Sequence, residues 1–222
     1  IFNEGYTATA GEDWLRPALC EDALRLGRVL AGLMPNETEV LGLLALMELQ
    51  ASRARARVDA QRDPVLLADQ NRAHWDRLLI RRGLAGIERA LKPGSPPGPY
   101  LLQAMIAACH ARAPGTGQTD WMLIAQLYAR LAEVTPSPVV DLNRAVAVSM
   151  SDGPARGLEL VDALVRESAL ENYHLLPSVR GDLLRKLGRA AEAREEFERA
   201  AALAQNARER ALLLKRAAEC VQ

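Results

Sequence analysis

Apolar residues recur at intervals of three and four along almost the whole chain, the spacing of one face of an α-helix. The pattern predicts helices near 13–34, 37–56, 71–92, 98–113, 119–134, 138–151, 154–167, 173–187, 189–204 and 206–221. The stretch "EVLGLLALMELQ" is the most apolar, and Glu bounds and interrupts it. The last helix, "NARERALLLKRAAECVQ", carries a single Leu-rich stripe. Breaker residues separate the helices. "MPNETEV" offers a Pro stop, then Asn36 as an N-cap with Glu39 three residues on, the spacing of a capping box. "KPGSPPGPY" is a Pro/Gly cluster between helices, "TPSPVV" and "SDGPA" are short turns, and Pro154 suits a first helical turn. One region departs from the pattern. In "RVDAQRDPVLLADQNRAHWD" the segments "RVD" and "PVLL" flank a polar "AQRD", which predicts a short β-hairpin near 57–67.

Composition agrees with an all-α fold. Ala and Leu dominate, Ile is sparse, and aromatics make up only 4% of the 222 residues, whereas strands favour β-branched and aromatic side chains. About ten helices with short links imply antiparallel hairpins, and the hairpins repeat. Gly181, Ala193, Phe197 and Ala200 hold positions 8, 20, 24 and 27 of a tetratricopeptide repeat, where small residues let paired helices approach and a large one fills the gap. One unit earlier, Ala145, Gly157, Val161 and Leu164 hold the same positions at an offset of 36 residues. Ile124, Tyr128, Leu131 and Pro136, and again Ala23, Gly27, Leu30 and Pro35, match the second half of the repeat. The expected architecture is one domain over 1–222, a tetratricopeptide-like right-handed helical solenoid.

Charge and chemistry narrow the function. The 28 Lys+Arg balance 28 Asp+Glu, so no net field draws the chain to nucleic acid or to an anionic membrane. No apolar run approaches the roughly 20 residues of a membrane-spanning helix. Three scattered cysteines, Cys20, Cys109 and Cys220, make no disulfide framework and fit a reducing cytoplasm. His74, His110 and His174 each stand alone, so no metal is expected. Asp59, Asp63 and Asp69 lack the alternate spacing of a calcium loop. No phosphate-binding Gly loop or nucleophile elbow is present, so neither a cofactor nor catalysis is expected. Cys109 and His110 are adjacent on a helix and point about 100° apart. "QASRARARVD", with Arg53, Arg55 and Arg57, is the nearest approach to a nucleic-acid patch, and it has no interleaved aromatic.

The opening "IFNEGYTATAGED" resembles the segment that follows the promoter-recognition region in a group of bacterial extracytoplasmic-function sigma factors, those with a long tetratricopeptide-like C-terminal extension. The stretches "LCEDALRLGRVLAGLMPNETEVLGLLALMELQASRARARVD", "LLADQNRAHWDRLLI", "GPYLLQAMIAACHARA", "SPVVDLNRAVAVSMSDGPARGL" and "YHLLPSVRGDLLRKLGR" are similar to the same family. The resemblance implies that residues 1–12 are a strap leading out of a preceding sigma region, in keeping with a start that lacks Met. It also implies a non-catalytic role in controlling transcription initiation, through sigma regions of the same protein and RNA polymerase. Neither sigma region is present here, so no promoter binding is expected of this chain alone. A free-standing repeat adaptor that grips a peptide of another protein is the alternative.

A solenoid of this kind presents a concave face lined by the first helix of each repeat. In "SPVVDLNRAVAVSM" the register puts Val139, Leu142 and Val146 on that face, and Asn143 and Arg144 add hydrogen-bonding groups. Either Asn143 braces a neighbouring helix, or this face and the Asp59–Asp69 loop dock the sigma regions or a short partner segment.

Overall fold

The structure is a computed structural model that describes residues 1–8, 14–92, 95–168 and 170–220. Among these residues it is all-helical, with no strand. The helices are α1 (Phe2–Tyr6), α2 (Pro17–Leu33), α3 (Thr38–Ala51), α4 (Arg77–Ala90), α5 (Pro99–Arg112) and α6 (Trp121–Val134). After them come α7 (Pro138–Ser151), α8 (Pro154–Arg166), α9 (Leu175–Lys186), α10 (Ala190–Leu203) and α11 (Ala207–Glu219). The periodicity predicted α2 to α11. It missed α1, which is only five residues long. Among the described residues no helix is long and apolar enough to cross a membrane. The described residues fall into two compact units: 1–8, 14–120 and 133–135 in the first, 121–132 and 136–220 in the second.

In the first unit α3 is the hub. Its apolar residues run right round the helix, because α4 packs on one side of it and α5 on another. Small residues make both contacts close. A Cβ on Gly42 would lie 2.7 Å from the Leu101 amide nitrogen of α5. On α4, a Cβ on Gly83 would lie 2.6 Å from Leu49 Cγ, and one on Gly86 would lie 3.1 Å from Ala45 Cβ. The core around these contacts includes Leu41, Leu49, Trp75, Ile80, Ile87 and Leu101.

Several boundaries moved for identifiable reasons. Glu37, not Asn36, precedes the first turn of α3, and it caps nothing with its side chain. Glu39 reaches away instead, accepting hydrogen bonds from the amides of Tyr100 (2.8 Å) and Leu101 (3.3 Å) at the start of α5. A carboxylate satisfies the free N–H groups and the positive end of that helix better than the expected local box does. Helix α3 stops at Ala51 rather than near 56, where Ser52 Oγ donates to the Leu49 carbonyl (2.6 Å). Helix α4 starts at Arg77 rather than 71 because Asp76 caps it, accepting from Leu78 (2.8 Å) and Leu79 (3.0 Å). The predicted β-hairpin is reduced to one antiparallel bridge, Val58 with Pro64. Two bonds frame the pair, from the Val65 amide to the Arg57 carbonyl (2.8 Å) and from the Asp59 amide to the Asp63 carbonyl (3.0 Å), and 3₁₀ turns at Ala54–Ala56 and Leu67–Asp69 end the extended segments beyond them.

In the second unit each helix from α7 to α11 packs on the next in sequence. A Cβ on Gly157 of α8 would lie 2.4 Å from Ser149 Cβ and 3.0 Å from the Ala145 carbonyl of α7. A Cβ on Gly181 of α9 would meet the Phe197 ring of α10 at 3.0 Å and the Ala193 carbonyl at 3.2 Å. Phe197 and Ala193 are wholly buried. Arg180 of α9 bridges two helices, donating to Asp162 of α8 (2.8 Å) and Glu196 of α10 (2.7 Å). Asn206 caps α11, accepting from Arg208 and Glu209 amides.

Enlarging the close-contact glycines tests this packing. Gly157→Leu and Gly181→Leu should each lose about 1–3 kcal/mol by overpacking, read as a lower Tm in thermal melts. Unchanged melting of both variants would contradict the contacts.

Candidate interaction surface

Helix α1 is bound into the first unit by stacked cations. Gly5 lets it lie against α2, since a Cβ there would sit 2.8 Å from the Cys20 amide nitrogen. Phe2 and Tyr6 stack with ring centroids 5.8 Å apart. The Arg57 guanidinium lies 3.6 Å from the Tyr6 ring centroid and 4.4 Å from that of Trp14. It also donates to the Tyr6 carbonyl (3.0 Å) and to Thr7 Oγ1 (2.8 Å). Arg57 is only 8% exposed, and burial pushes its pKa below the ordinary arginine value, a trend the Tyr6 contact opposes. The cation survives this because an arginine stays charged and stacks on aromatic faces. Beside it, Arg53 donates to the Tyr6 hydroxyl (2.7 Å). The arginine run therefore packs α1 in place: Arg57 is buried, Arg53 half-buried, and Arg55 alone faces solvent.

A second arginine contact joins the segment before α4 to the end of α5. Arg72 lies 4.6 Å from the Trp75 ring centroid and donates to the carbonyls of His110 and of Ala113 (2.8 Å for the latter). Burial first, then the charges of Arg53 and Arg72, lower the His110 pKa from 6.5 to about 4. The neighbouring Cys109 is buried and donates to the Met105 carbonyl (3.3 Å). Its thiol is pushed up, chiefly by burial, which disfavours the thiolate a nucleophile needs. Among the described residues no group of three or more His, Cys, Asp or Glu converges on a metal position.

Among the described residues, exposed large apolar side chains cluster along α2 and its C-cap. Leu26, Val29, Leu30, Leu33 and Met34 are 39–75% exposed, at the spacing of one helical stripe. The stripe borders a groove of about 530 Å³ whose lining includes Phe2, Leu30, Leu43, Leu46, Met47 and Tyr100. Contiguous exposed apolar surface beside a concavity marks interaction sites. Helical periodicity alone reads such a stripe as core, so nothing in the sequence distinguished it.

The residues singled out from the sequence fall in both units. On α7, Leu142 is 3% exposed and belongs to the core of the second unit with Ala145 and Val161. Asn143 is exposed, and Val139, Arg144 and Val146 are half-buried. Asp59, Asp63 and Asp69 are exposed in the first unit. Asp59 shapes the turn, accepting from the amides of Gln61 (2.9 Å) and Asp63 (2.8 Å). Asp69 ends a 3₁₀ turn, Leu67–Asp69.

Residues 1–91 match the model of a family of unknown function (DUF6596). Over 213 residues, 96% of the chain, the sequence is 50% identical to an uncharacterized protein of Rhizobium meliloti (strain 1021). The chain spans about half the length of that curated relative, 50%.

Two outcomes follow from the arginine contacts. Arg57→Ala should loosen α1 at a cost of about 2 kcal/mol, seen as faster amide exchange over residues 1–8, and Arg57→Lys should not restore it. Unchanged exchange would contradict the clamp. Between pH 6.5 and about 4 the unfolded chain protonates His110 and the folded chain does not. Its contribution is complete above pH 6.5 and is lost as pH falls toward 4. Urea unfolding across that window should show a smaller loss for His110→Gln, and an identical loss would contradict the shift.

Proposed function

We propose that this chain is a non-catalytic protein-interaction domain that regulates transcription initiation as the C-terminal extension of an extracytoplasmic-function sigma factor, working in the cytoplasm on sigma regions of the same protein or on RNA polymerase. The observation that carries the interaction reading is the exposed apolar stripe of α2 beside its groove. An amphipathic segment laid into such a groove buries apolar surface on both sides. The sigma assignment is supported by the resemblance of "IFNEGYTATAGED" and of the stretches along the chain quoted with it. A relative of about twice this length is consistent with room for further regions.

We read the helix pairs of the second unit as tetratricopeptide-like repeats of a right-handed solenoid. The close approaches at Gly157 and Gly181 support that register, since both fall where the repeat requires small residues. The half-buried Val139, Arg144 and Val146, with exposed Asn143, remain a second docking face under this proposal.

The test is retention of detached sigma regions and of core polymerase by the immobilised chain. Retention is expected, with at least a tenfold loss for the Leu26→Glu/Leu33→Glu variant, which alters only exposed positions. Failure to retain either partner would overturn the regulatory reading. Retention that both substitutions leave unchanged would move the docking face away from α2.

A further inference from the structure

A second groove in the first unit has a different chemistry. Helices α2 and α4 each pack on α3, and between them lies a groove of about 460 Å³. Leu41, Leu44 and Ala45 of α3 form its floor, with Ala85 and Gly86 of α4. Three arginines stand around this apolar strip: Arg28 from α2, Arg82 and Arg89 from α4. Glu48 is the one carboxylate in the lining among the described residues. It is 4% exposed and already engaged by Arg28, whose Nε and Nη2 lie 3.3 and 3.1 Å from Oε1. Arg82 and Arg89 are exposed and have no carboxylate partner among the described residues. In a chain with no net charge, α4 alone carries four arginines against one glutamate.

We propose that this groove docks an acidic amphipathic helix of a partner protein, one that presents two carboxylates seven residues apart with apolar side chains between them. The inference rests on the interaction-module reading above and names a surface and a partner chemistry for it. Arg82 and Arg89 are two helical turns apart on one face, roughly 10.5 Å along the axis. Carboxylates at i and i+7 of a docked helix match that separation. The residues at i+3 and i+4 then lie against Leu44, Ala85 and Gly86. Arginine forks engage carboxylates in bidentate fashion, so the pairs set register and orientation while the apolar contact supplies burial. A nucleic acid fits less well. Among the described residues the lining has no aromatic ring for a base to stack on.

The test uses the full chain and a labelled helix-forming peptide of Ala and Leu that carries two Glu seven residues apart, read by fluorescence anisotropy at increasing salt. The expected result is salt-sensitive binding. It should be at least tenfold weaker for a peptide with Lys in place of Glu, and for one with the two Glu five residues apart. Arg82→Glu/Arg89→Glu should abolish binding of the Glu peptide and admit the Lys peptide, with an unchanged circular dichroism spectrum. No binding, equal binding of the Glu and Lys peptides, or binding indifferent to the double substitution would overturn the proposal, as would a random DNA duplex that binds as tightly. The two readings fail separately. A chain that retains sigma regions but ignores the peptide overturns the groove alone. One that binds the peptide through Arg82 and Arg89, but neither sigma regions nor polymerase, supports the groove and overturns the regulatory reading.

Discussion

Helix-to-helix approach at positions with no side chain is the constraint on which the rest of the structure depends. In the first unit, Gly42 and Gly83 bring α5 and α4 onto α3 so closely that a single added carbon would collide with Leu101 or Leu49, and one on Gly86 would press on Ala45. In the second, Gly157 does the same between α7 and α8, and a carbon added at Gly181 would press on Phe197 between α9 and α10. Dispersion and burial depend on such distances, so each glycine contributes by what it lets its neighbours touch. The cost is helix propensity, about 1 kcal/mol per interior glycine relative to alanine. The Ala-rich and Leu-rich composition offsets it along the rest of each helix.

The two grooves follow from the same arrangement. Because α3 spends its circumference on α4, α5 and α2, helix α2 is held by a narrow contact through Ala23, Leu24 and Met47. Its Leu26, Val29, Leu30 and Leu33 stay outward. One flank of α2 is then an apolar groove that reaches α1 and α5. The other is the arginine-rimmed groove toward α4. Arg57 fixes α1 beside the first of these, so the shape of that groove depends on a buried cation stacked on Tyr6 and Trp14.

The helical plan was legible because the helices from α2 to α11 are long enough to show the 3.6-residue period. What sequence reading missed was non-local. Five residues are too few to show a helical period, so α1 was invisible. Glu39 caps a helix 61 positions away, which no window around Glu39 can show. Leu142 sits in the core because α8 and α9 cover α7. The α2 stripe and Arg57 show the limit most plainly. Leu26, Val29 and Leu33 have the pattern of core residues and face solvent, while Arg57 has the chemistry of a surface residue and is buried. Periodicity tells which residues share a face; only the neighbouring elements decide whether that face is covered.

Hydrogen–deuterium exchange of the chain, alone and with the sigma regions proposed as its partner, bears most directly on the central claim that α2 is a docking face. The account predicts new protection over residues 24–34 and over Leu43, Leu46 and Met47, which line the adjoining groove, with little change in the second unit. Protection confined to α7, or none anywhere in the chain, would contradict it.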